Sequence, residues 1–213
     1  MGKLIQYASS LFVDKFEKVV SAYLVKPVAP ILVLSGNIGK HKSSQTYAFL
    51  QHCSRNWDSI IYVPGEYELA DGTTPVFNFT NLYYLNKDTA YLNGMYFTGT
   101  PYLYFNERSW LINEVAGLDA IKPNAIKVVV TFGVPCLSLL GGSYIGSATD
   151  NEIQPCVDAW ISGFSRGAKS RLYDNGVVAA FNARGPLDGP NDFDGKLGWT
   201  RDAYIIIDRR YLG

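Results

Sequence analysis

Histidine and cysteine are the side chains most often used for metal binding and nucleophilic catalysis, and this sequence has few of them. The chain of 213 residues contains two histidines, His41 and His52, and three cysteines, Cys53, Cys136 and Cys156. Two imidazoles cannot build a hydrolytic centre with several imidazole ligands. The cysteines are widely spaced and odd in number, so there is neither a disulfide framework nor a CxxC metal motif, and a reducing compartment is expected.

Polar residues that follow apolar segments are the remaining candidates for chemistry. Tyr67 and Glu68 could act as an acid and a base, but no second positioned group accompanies them. Glu68 is therefore expected to brace its loop.

The first third of the chain alternates between apolar strands and helices. Apolar runs and helical spacing of apolar residues predict strands over 4–8, 31–34 and 60–63, and helices over 14–23 and 42–55. These βα repeats predict a largely parallel sheet. The loops that carry the polar candidates would then gather at the carboxyl ends of the strands.

From residue 76 the pattern changes. Asn-Lys-Asp and Asn-Gly turns predict a three-stranded meander over 81–97, which is expected to begin a second sheet. A helix is predicted over 110–118, and strands over 126–131, 158–161, 177–181 and 204–207. We therefore expect an α/β fold in one domain, residues 1–213, with two packed mixed β-sheets flanked by helices in a four-layer sandwich.

The composition argues against several classes of partner. The chain carries 19 basic and 19 acidic residues and has a pI near 6.7, so nothing favours nucleic acid or an anionic membrane. No apolar run approaches the length of a membrane helix, and the N-terminus lacks a signal-peptide pattern, so a soluble, intracellular, cytoplasmic protein is expected. Only 18% of the residues are charged, while 15 are Tyr and 11 are Phe, which favours a place within an assembly.

Five loop sequences together resemble, in order and spacing, the five motifs of calcineurin-like metallophosphoesterases. They are IQYASSLF at 5–12, LVLSGNIG at 32–39, YVPGEYE at 62–68, VVVTF at 128–132 and WISGFSR at 160–166. The resemblance extends to the segment 85–99 and to the run NARG at 182–185, so it covers nearly the whole chain. It implies the metallophosphoesterase fold and, in active members, a two-metal site whose ions bridge a nucleophilic water.

The resemblance also implies that this chain lacks the metal ligands. The family's ligand and catalytic positions fall on Ser10, Phe12, Asn37, Glu66, Tyr67, Phe132, Phe164 and Arg166. The amide of Asn37 stands where the metal-bridging aspartate belongs, and aromatic residues stand at four histidine positions. Only Glu66 could supply a negative charge against the mutual repulsion of two cations. Metal binding is therefore expected to be abolished, and no cofactor is expected.

The substituted residues are expected to fill the site. Phe12, Phe132 and Phe164 bring apolar side chains to a place that the family keeps polar, which predicts a plugged pocket. Glu66 and Arg166 are predicted to form an ion pair in place of the attraction between anionic ligands and metal ions.

These substitutions predict a pseudoenzyme, an inactive metallophosphoesterase-like protein retained as a structural or protein-interaction subunit of a larger assembly. A virion or minor capsid component is one concrete form of this hypothesis. The alternative, from another class, is a metal-free phosphate-binding or nucleotide-binding module that uses Arg166 and Asn37. A residual phosphoesterase is opposed by the missing ligands. Other protein subunits are expected to bind through the Tyr- and Phe-rich region 83–105, whose rings are either exposed at an interface or buried on both faces.

Overall fold

Apolar runs in the first half of the chain form a five-stranded sheet. The computed structural model describes residues 2–16, 24–70, 72, 74–102, 105–135, 156–164, 167–185 and 199–208. The sheet is formed by β1 (Lys3–Ala8), β2 (Ile31–Ser35), β3 (Ser59–Val63), β4 (Leu82–Tyr84) and β11 (Tyr204–Ile207), in the order β11-β1-β2-β3-β4. The strands β1 to β4 run parallel, and β11 is antiparallel to β1. The central strands β2 and β3 are buried along their whole length, as unbroken apolar runs predict.

The second half of the chain forms a six-stranded sheet. Its strands are β5 (Asp88–Leu92), β6 (Met95–Thr100), β7 (Ile126–Thr131), β8 (Ala159–Ser162), β9 (Gly167–Leu172) and β10 (Val178–Ala183), in the order β5-β6-β7-β8-β10-β9. The four inner strands run parallel, and the edge strands β5 and β9 are antiparallel to their neighbours. Both sheets are therefore mixed.

The main core lies between the two sheets, with helices against their outer faces. Ile5, Val33 and Ile61 of the first sheet belong to the same buried cluster as Phe97 and Val130 of the second. The helices are α1 (Ser44–Asn56), the short α2 (Glu66–Leu69) and α3 (Phe105–Ile121). Helix α1 contributes buried side chains to the outer face of the first sheet, and α3 does so for the second. The α/β fold with two packed mixed sheets flanked by helices is confirmed.

Helix boundaries follow the local capping residues. Helix α1 begins at Ser44 instead of the predicted residue 42, because the Ser43 side chain accepts hydrogen bonds from the backbone N–H groups of Gln45 and Thr46. The predicted helix over 14–23 overlaps a single 3-10 turn at Val13–Lys15, and residues 17–23 lie outside the described residues. In the described part of the chain, no helix combines the length and the apolar character needed to cross a membrane.

The predicted meander is wrong in its sheet assignment. Its first strand, β4, pairs in parallel with β3 and closes the first sheet, whereas β5 and β6 form the hairpin that begins the second. Strand-forming residues indicate a strand but not its partner. Strand β9 was not predicted, because its mostly exposed sequence GAKSRL lacks apolar alternation. The four-residue helix α2 is too short to show a periodic pattern.

The two sheets meet at the carboxyl ends of their parallel strands. Ser9, directly after β1, forms a parallel bridge with Ala183 at the end of β10. The Ser9 hydroxyl also donates a hydrogen bond of 3.1 Å to the carbonyl of Gly163, which follows β8. Loops from both sheets are therefore brought together at this edge, as the βα repeats predict.

Candidate functional site

The loops after β1 and β2 are joined through their backbones. The N–H of Ser10 donates to the carbonyl of Gly36 at 2.9 Å, and the N–H of Phe12 donates to the carbonyl of Asn37 at 3.0 Å. The Ser10 hydroxyl reaches across to the carbonyl of Gly163 at 3.4 Å. Ser10, Phe12 and Asn37 therefore lie side by side at the edge where the two sheets meet.

These three residues share an unusual backbone conformation. The φ angles are 51° at Ser10, 49° at Phe12 and 55° at Asn37, in the left-handed region that non-glycine residues rarely adopt. The region is tolerated by asparagine but is costly for a bulky residue such as Phe12. Such conformations persist only where the surroundings over-determine them, and the backbone hydrogen bonds between the two loops do so here.

Glu68 holds the loop after β2 in place. Its side chain is 1% exposed and accepts hydrogen bonds from the backbone N–H groups of Asn37 at 2.8 Å, Gly39 at 3.2 Å and Ile38. It also accepts the N–H of Gly65 at 2.8 Å and the hydroxyl of Tyr62 at 3.0 Å. The carboxylate therefore occupies an anion-binding concavity of backbone N–H groups from its own chain.

Burial dominates the electrostatics of this carboxylate. Removal from water raises the pKa of Glu68, and the hydrogen bonds from Gly65, Asn37, Gly39 and Tyr62 oppose that rise. Burial also raises the pKa of the Tyr62 phenol, and the negative charge of Glu68 adds to this effect. Tyr62 therefore remains a hydrogen-bond donor to Glu68 at neutral pH.

Phe132, directly after β7, fills the space between the loops of both sheets. Its side chain is 0% exposed. A Cβ atom built on Gly36 would lie 2.4 Å from Phe132 Cδ2, one on Gly65 would lie 3.0 Å away, and one on Gly163 would lie 3.2 Å away. Only glycine leaves enough room at Gly36, where φ is also 79°. The ring therefore packs against three glycine backbones from three different loops.

The Phe132 ring is the plug of this pocket, and the other aromatic candidates near it differ in how far their side chains are exposed. Phe164 packs edge-on against Phe132, with ring centroids 5.4 Å apart, but its side chain is 55% exposed. Phe164 therefore lies mostly outside the space that it was expected to fill, because the ring of Phe132 already occupies it. Phe12 is half-buried and packs edge-on against Tyr67 at 5.2 Å.

Tyr67 is fixed at both of its ends. Its backbone N–H donates to Asn37 Oδ1 at 3.0 Å, and its hydroxyl donates to Asp14 Oδ2 at 2.7 Å. Burial raises the pKa of the Tyr67 phenol, and the hydrogen bond and charge of Asp14 raise it further. A phenol that stays protonated in this way is a poor general base.

Of the two charged candidates, only Glu66 belongs to the described residues, and it does not enter this cluster. Glu66 is exposed at the first position of α2. Arg166 lies outside the described residues, so the Glu66–Arg166 ion pair stays a prediction. Cys136 also lies outside them, while Cys53 is buried in α1, where burial raises the pKa of its thiol.

The sequence did not point to Asp14, Lys15 or Lys40 as site residues. All three contact Tyr67: Asp14 accepts its hydroxyl, and the Lys15 and Lys40 ammonium groups lie 5.6 Å and 5.7 Å from its ring centroid. Asp14 and Tyr67 are 53 residues apart in the chain, and no local pattern reports such a pairing. The one available signal is that Asp14 and Lys15 lie two and three residues after the end of the first motif loop at Phe12.

The chain is similar in fold to several proteins of known structure. Phosphopantetheinyl hydrolase from Mycobacterium tuberculosis matches with a TM-score of 0.62 and 12% sequence identity, covering 99% of this chain and 98% of that one. TT1561 of Thermus thermophilus matches with a TM-score of 0.57 and 15% identity over 86% of this chain and 90% of that one. A dimetal phosphatase from Danio rerio matches with a TM-score of 0.55 and 10% identity over 96% and 98%.

The fold is that of the calcineurin-like metallophosphoesterases. By sequence, no family model and no curated protein matches the chain. At identities of 10% to 15%, the likeness establishes the metallophosphoesterase fold and leaves activity to be argued from the site.

The described residues do not fit the two-metal centre that a metallophosphoesterase fold implies. Within the described ranges, no three His, Cys, Asp or Glu side chains lie close enough together to hold a metal ion. Asn37 Oδ1 already accepts the N–H of Tyr67, and the Glu68 carboxylate is surrounded by N–H and O–H donors, which leaves it unavailable to a cation. A pair of divalent ions needs anionic oxygen or imidazole ligands, and this donor set has neither to offer.

Proposed function

We propose that this chain is a catalytically inactive metallophosphoesterase-like protein that serves as a structural or protein-interaction subunit of a larger assembly, in one domain over residues 1–213. A virion or minor capsid component is one concrete form of this proposal. The observation that carries it is the Phe132 ring, which fills the space between Gly36, Gly65 and Gly163 where the loops of both sheets converge. A metal-bound substrate needs open, polar space at such a convergence.

The alternative, a metal-free phosphate-binding or nucleotide-binding module built on Asn37 and Arg166, has less support. The backbone N–H of Asn37 donates to Glu68, and its side-chain oxygen accepts the N–H of Tyr67. The N–H groups of Ile38 and Gly39, which could otherwise bind an anion, also donate to Glu68. The internal carboxylate therefore takes the place that a phosphate would need.

The exposed face of α3 supports the interaction part of the proposal. None of the exposed residues described for this helix is charged: Asn106, Ser109, Ile112, Asn113, Ala116, Gly117, Ala120 and Ile121. Its charged residues lie on the buried or half-buried side, where Glu114 accepts a hydrogen bond from Thr89 and Asp119 pairs with Lys127. A solvent-facing helix surface normally carries the charges, and an uncharged one is typical of a contact surface.

The described part of the aromatic region 83–105, which leaves out residues 103 and 104, supports a narrow contact surface. Tyr83 and Tyr84 pack against the buried clusters, and Tyr102 packs edge-on against Trp160. Tyr91 is 61% exposed and stacks on Tyr96 across the β5–β6 hairpin, with centroids 4.7 Å apart. We therefore propose this tyrosine pair as the part of the region that is available to a partner.

Metal content decides whether the site is inactive. The chain is expressed with added manganese and iron, its metal content is measured by mass spectrometry, and hydrolysis of bis-p-nitrophenyl phosphate is assayed on the same sample. We expect far less than stoichiometric metal and no metal-dependent hydrolysis. A variant carrying Ser10→Asp, Phe12→His, Asn37→Asp and Phe132→His is the matched control, and its metal content should rise. A content of about two ions per wild-type chain would overturn the proposal.

Cross-linking of the native assembly tests the subunit role. Lys122, which follows α3 directly, should form cross-links to a second polypeptide when the protein is extracted from the cells that produce it. A chain that sediments from the same extract as an isolated monomer, with cross-links only within itself, would contradict an assembly role.

A further inference from the structure

Two lysine ammonium groups lie against one aromatic ring beside the filled pocket. Lys15 Nζ is 5.6 Å and Lys40 Nζ is 5.7 Å from the centroid of the Tyr67 ring. Both distances fall within the range of cation–π attraction. Both lysines are exposed, Lys15 on the 3-10 turn after β1 and Lys40 on the loop after β2. Two separate loops therefore deliver positive charge to the same place.

The Tyr67 ring that both lysines approach is held in place by several contacts. The N–H of Tyr67 donates to Asn37, its hydroxyl donates to Asp14, and Phe12 packs against the ring from the side. Side chains that are fixed before binding lose less conformational entropy when a partner arrives. The Tyr67 ring thus provides a preformed platform.

Within the described part of the chain, neither Lys15 nor Lys40 forms an ion pair. The Asp14 carboxylate, which lies at the same tyrosine, bonds to the Tyr67 hydroxyl instead of to either ammonium group. Exposed Glu66, adjacent to Tyr67 in the chain, is a second negative charge at this surface. Lys42 adds a third exposed cation close to Lys40 in sequence.

An exposed apolar ring also packs against Phe132. Phe164 rests on Phe132, and Phe132 in turn packs against Gly65, two residues before Tyr67. Phe164 and Tyr67 therefore flank the same filled pocket. We call the group of Phe12, Lys15, Lys40, Tyr67 and Phe164 the mouth surface.

We propose that the mouth surface binds an acidic segment of a partner protein, with carboxylates against Lys15 and Lys40 and an apolar side chain against Phe164. This inference rests on the proposed function as an interaction subunit and names a surface and a partner chemistry for it. The charge of the two unpaired lysines complements an acidic chain.

An extended partner fits the mouth surface better than a small free anion does. The backbone N–H groups of Asn37 and Gly39 donate to Glu68, so these two groups are not available to a phosphate. Exposed ion pairs contribute little affinity by themselves. A peptide can add the burial of Phe164 and Phe12 to its charge contacts, which a phosphate ion cannot.

Two matched peptides test the proposal. A fluorescein-labelled peptide Glu-Glu-Phe-Glu-Glu and its counterpart Gln-Gln-Phe-Gln-Gln are titrated with the full chain, and binding is followed by fluorescence anisotropy at about 50 mM salt, where charge contacts are weakly screened. We expect the acidic peptide to bind and the amide peptide to bind at least about fivefold more weakly. Binding should weaken further as salt is added.

Variants assign the binding to the mouth surface. The double variant Lys15→Gln, Lys40→Gln should weaken binding of the acidic peptide, while Glu66→Gln should strengthen it. The control pair Lys26→Gln, Lys87→Gln removes two exposed lysines elsewhere and should leave binding unchanged. Melting temperatures of all variants are compared, so that a loss of binding is separated from unfolding.

Several outcomes would overturn the inference. Equal binding of both peptides, no effect of the lysine double variant, or a dissociation constant weaker than about 1 mM would each do so. Displacement of the peptide by inorganic phosphate at similar concentrations would indicate a small-anion site instead. The metal and hydrolysis measurements are repeated on the same sample. If the chain is metal-free and inactive but does not bind the peptide, this inference alone is overturned. If the chain contains metal and is active, the proposed function is overturned.

Discussion

The loops after the first sheet and the loops after the second sheet face each other across the same convergence, but they are built differently. On the first-sheet side, Glu68 and Asn37 form a buried polar network with backbone N–H groups. On the second-sheet side, Phe132 and Phe164 bring aromatic rings. A buried polar network must satisfy all of its members, whereas an aromatic plug needs only shape. One side therefore preserves loop geometry, and the other fills the volume between the loops.

This difference locates the features that remain available to a partner. On the first-sheet side, Glu68 and Asn37 form hydrogen bonds with groups of the same loops. On the second-sheet side, the Phe132 ring fills the space between the loops. What stays exposed is the rim, with Lys15, Lys40 and Phe164, and the uncharged outer face of α3. The surfaces that we propose for a partner therefore lie at this rim and on the outer face of α3, and not in a cleft between the loops.

The largest expected loss of stability comes from removing the Glu68 carboxylate from the polar network. Glu68→Ala removes the acceptor of four backbone N–H groups and the Tyr62 hydroxyl, and should lower the free energy of unfolding by about 5 kcal/mol. Chemical denaturation measures this change. Glu66→Ala, which truncates an exposed neighbour, is the control and should cost no more than about 0.5 kcal/mol. Similar small losses from both variants would show that the network is not needed.

The next largest loss of stability is expected from removing the Phe132 ring. Phe132→Ala leaves a cavity against Gly36, Gly65 and Gly163 and should lower the free energy of unfolding by about 3–5 kcal/mol. The matched variant Phe164→Ala, at an exposed ring, should cost less than about 1 kcal/mol. Urea titration of both variants distinguishes them, and an equal cost would place Phe164 inside the plug in solution.

The pH dependence of stability should also distinguish Glu68, which titrates, from Phe132, which does not. Because burial raises the pKa of Glu68 above the ordinary 4.5, the folded chain binds a proton more tightly than the unfolded chain does. Stability contributed by this group is present below the unfolded pKa and is lost as pH rises through the folded pKa, with a slope of up to about 1.4 kcal/mol per pH unit.

Glu68→Gln replaces the titrating carboxyl group with an amide that does not titrate. The unfolding free energy of this variant should therefore change less with pH than that of the wild type. Phe132→Ala alters a group that does not titrate and should keep the wild-type slope. Denaturation series between mildly acidic and neutral pH measure both slopes. Identical profiles for wild type and Glu68→Gln would contradict a raised pKa at this carboxyl group.

The smallest expected loss of stability comes from removing the Tyr67 hydroxyl. Tyr67→Phe removes the hydrogen bond from the phenol to Asp14 and keeps the ring, so the free energy of unfolding should fall by about 1 kcal/mol. Tyr47→Phe, at an exposed tyrosine of α1, serves as the control and should change little. If the two variants are equally stable, the Tyr67–Asp14 contact contributes nothing in solution.

Much of the fold follows from local patterns, and less of the site does. The apolar runs at β2, β3 and β7 predicted buried strands because a strand covered on both faces has no alternation. The role of Glu68 as a loop brace was also accessible, since it lies three residues from Gly65. The sheet to which β4 belongs was not, because β4 can pair at either edge with equal local propensity.

The amino-acid sequence by itself determined which chemistry is absent from the motif loops, because ligand types are read directly at Ser10, Asn37 and Phe132. It also predicted most of the strands along the chain, with β9 as the exception. Only the tertiary structure decided that Phe132 fills the convergence while Phe164 remains exposed, and that Asp14, Lys15 and Lys40 meet at Tyr67. These outcomes depend on which loops approach within a few ångströms, and such contacts between distant residues leave no local pattern in a single sequence.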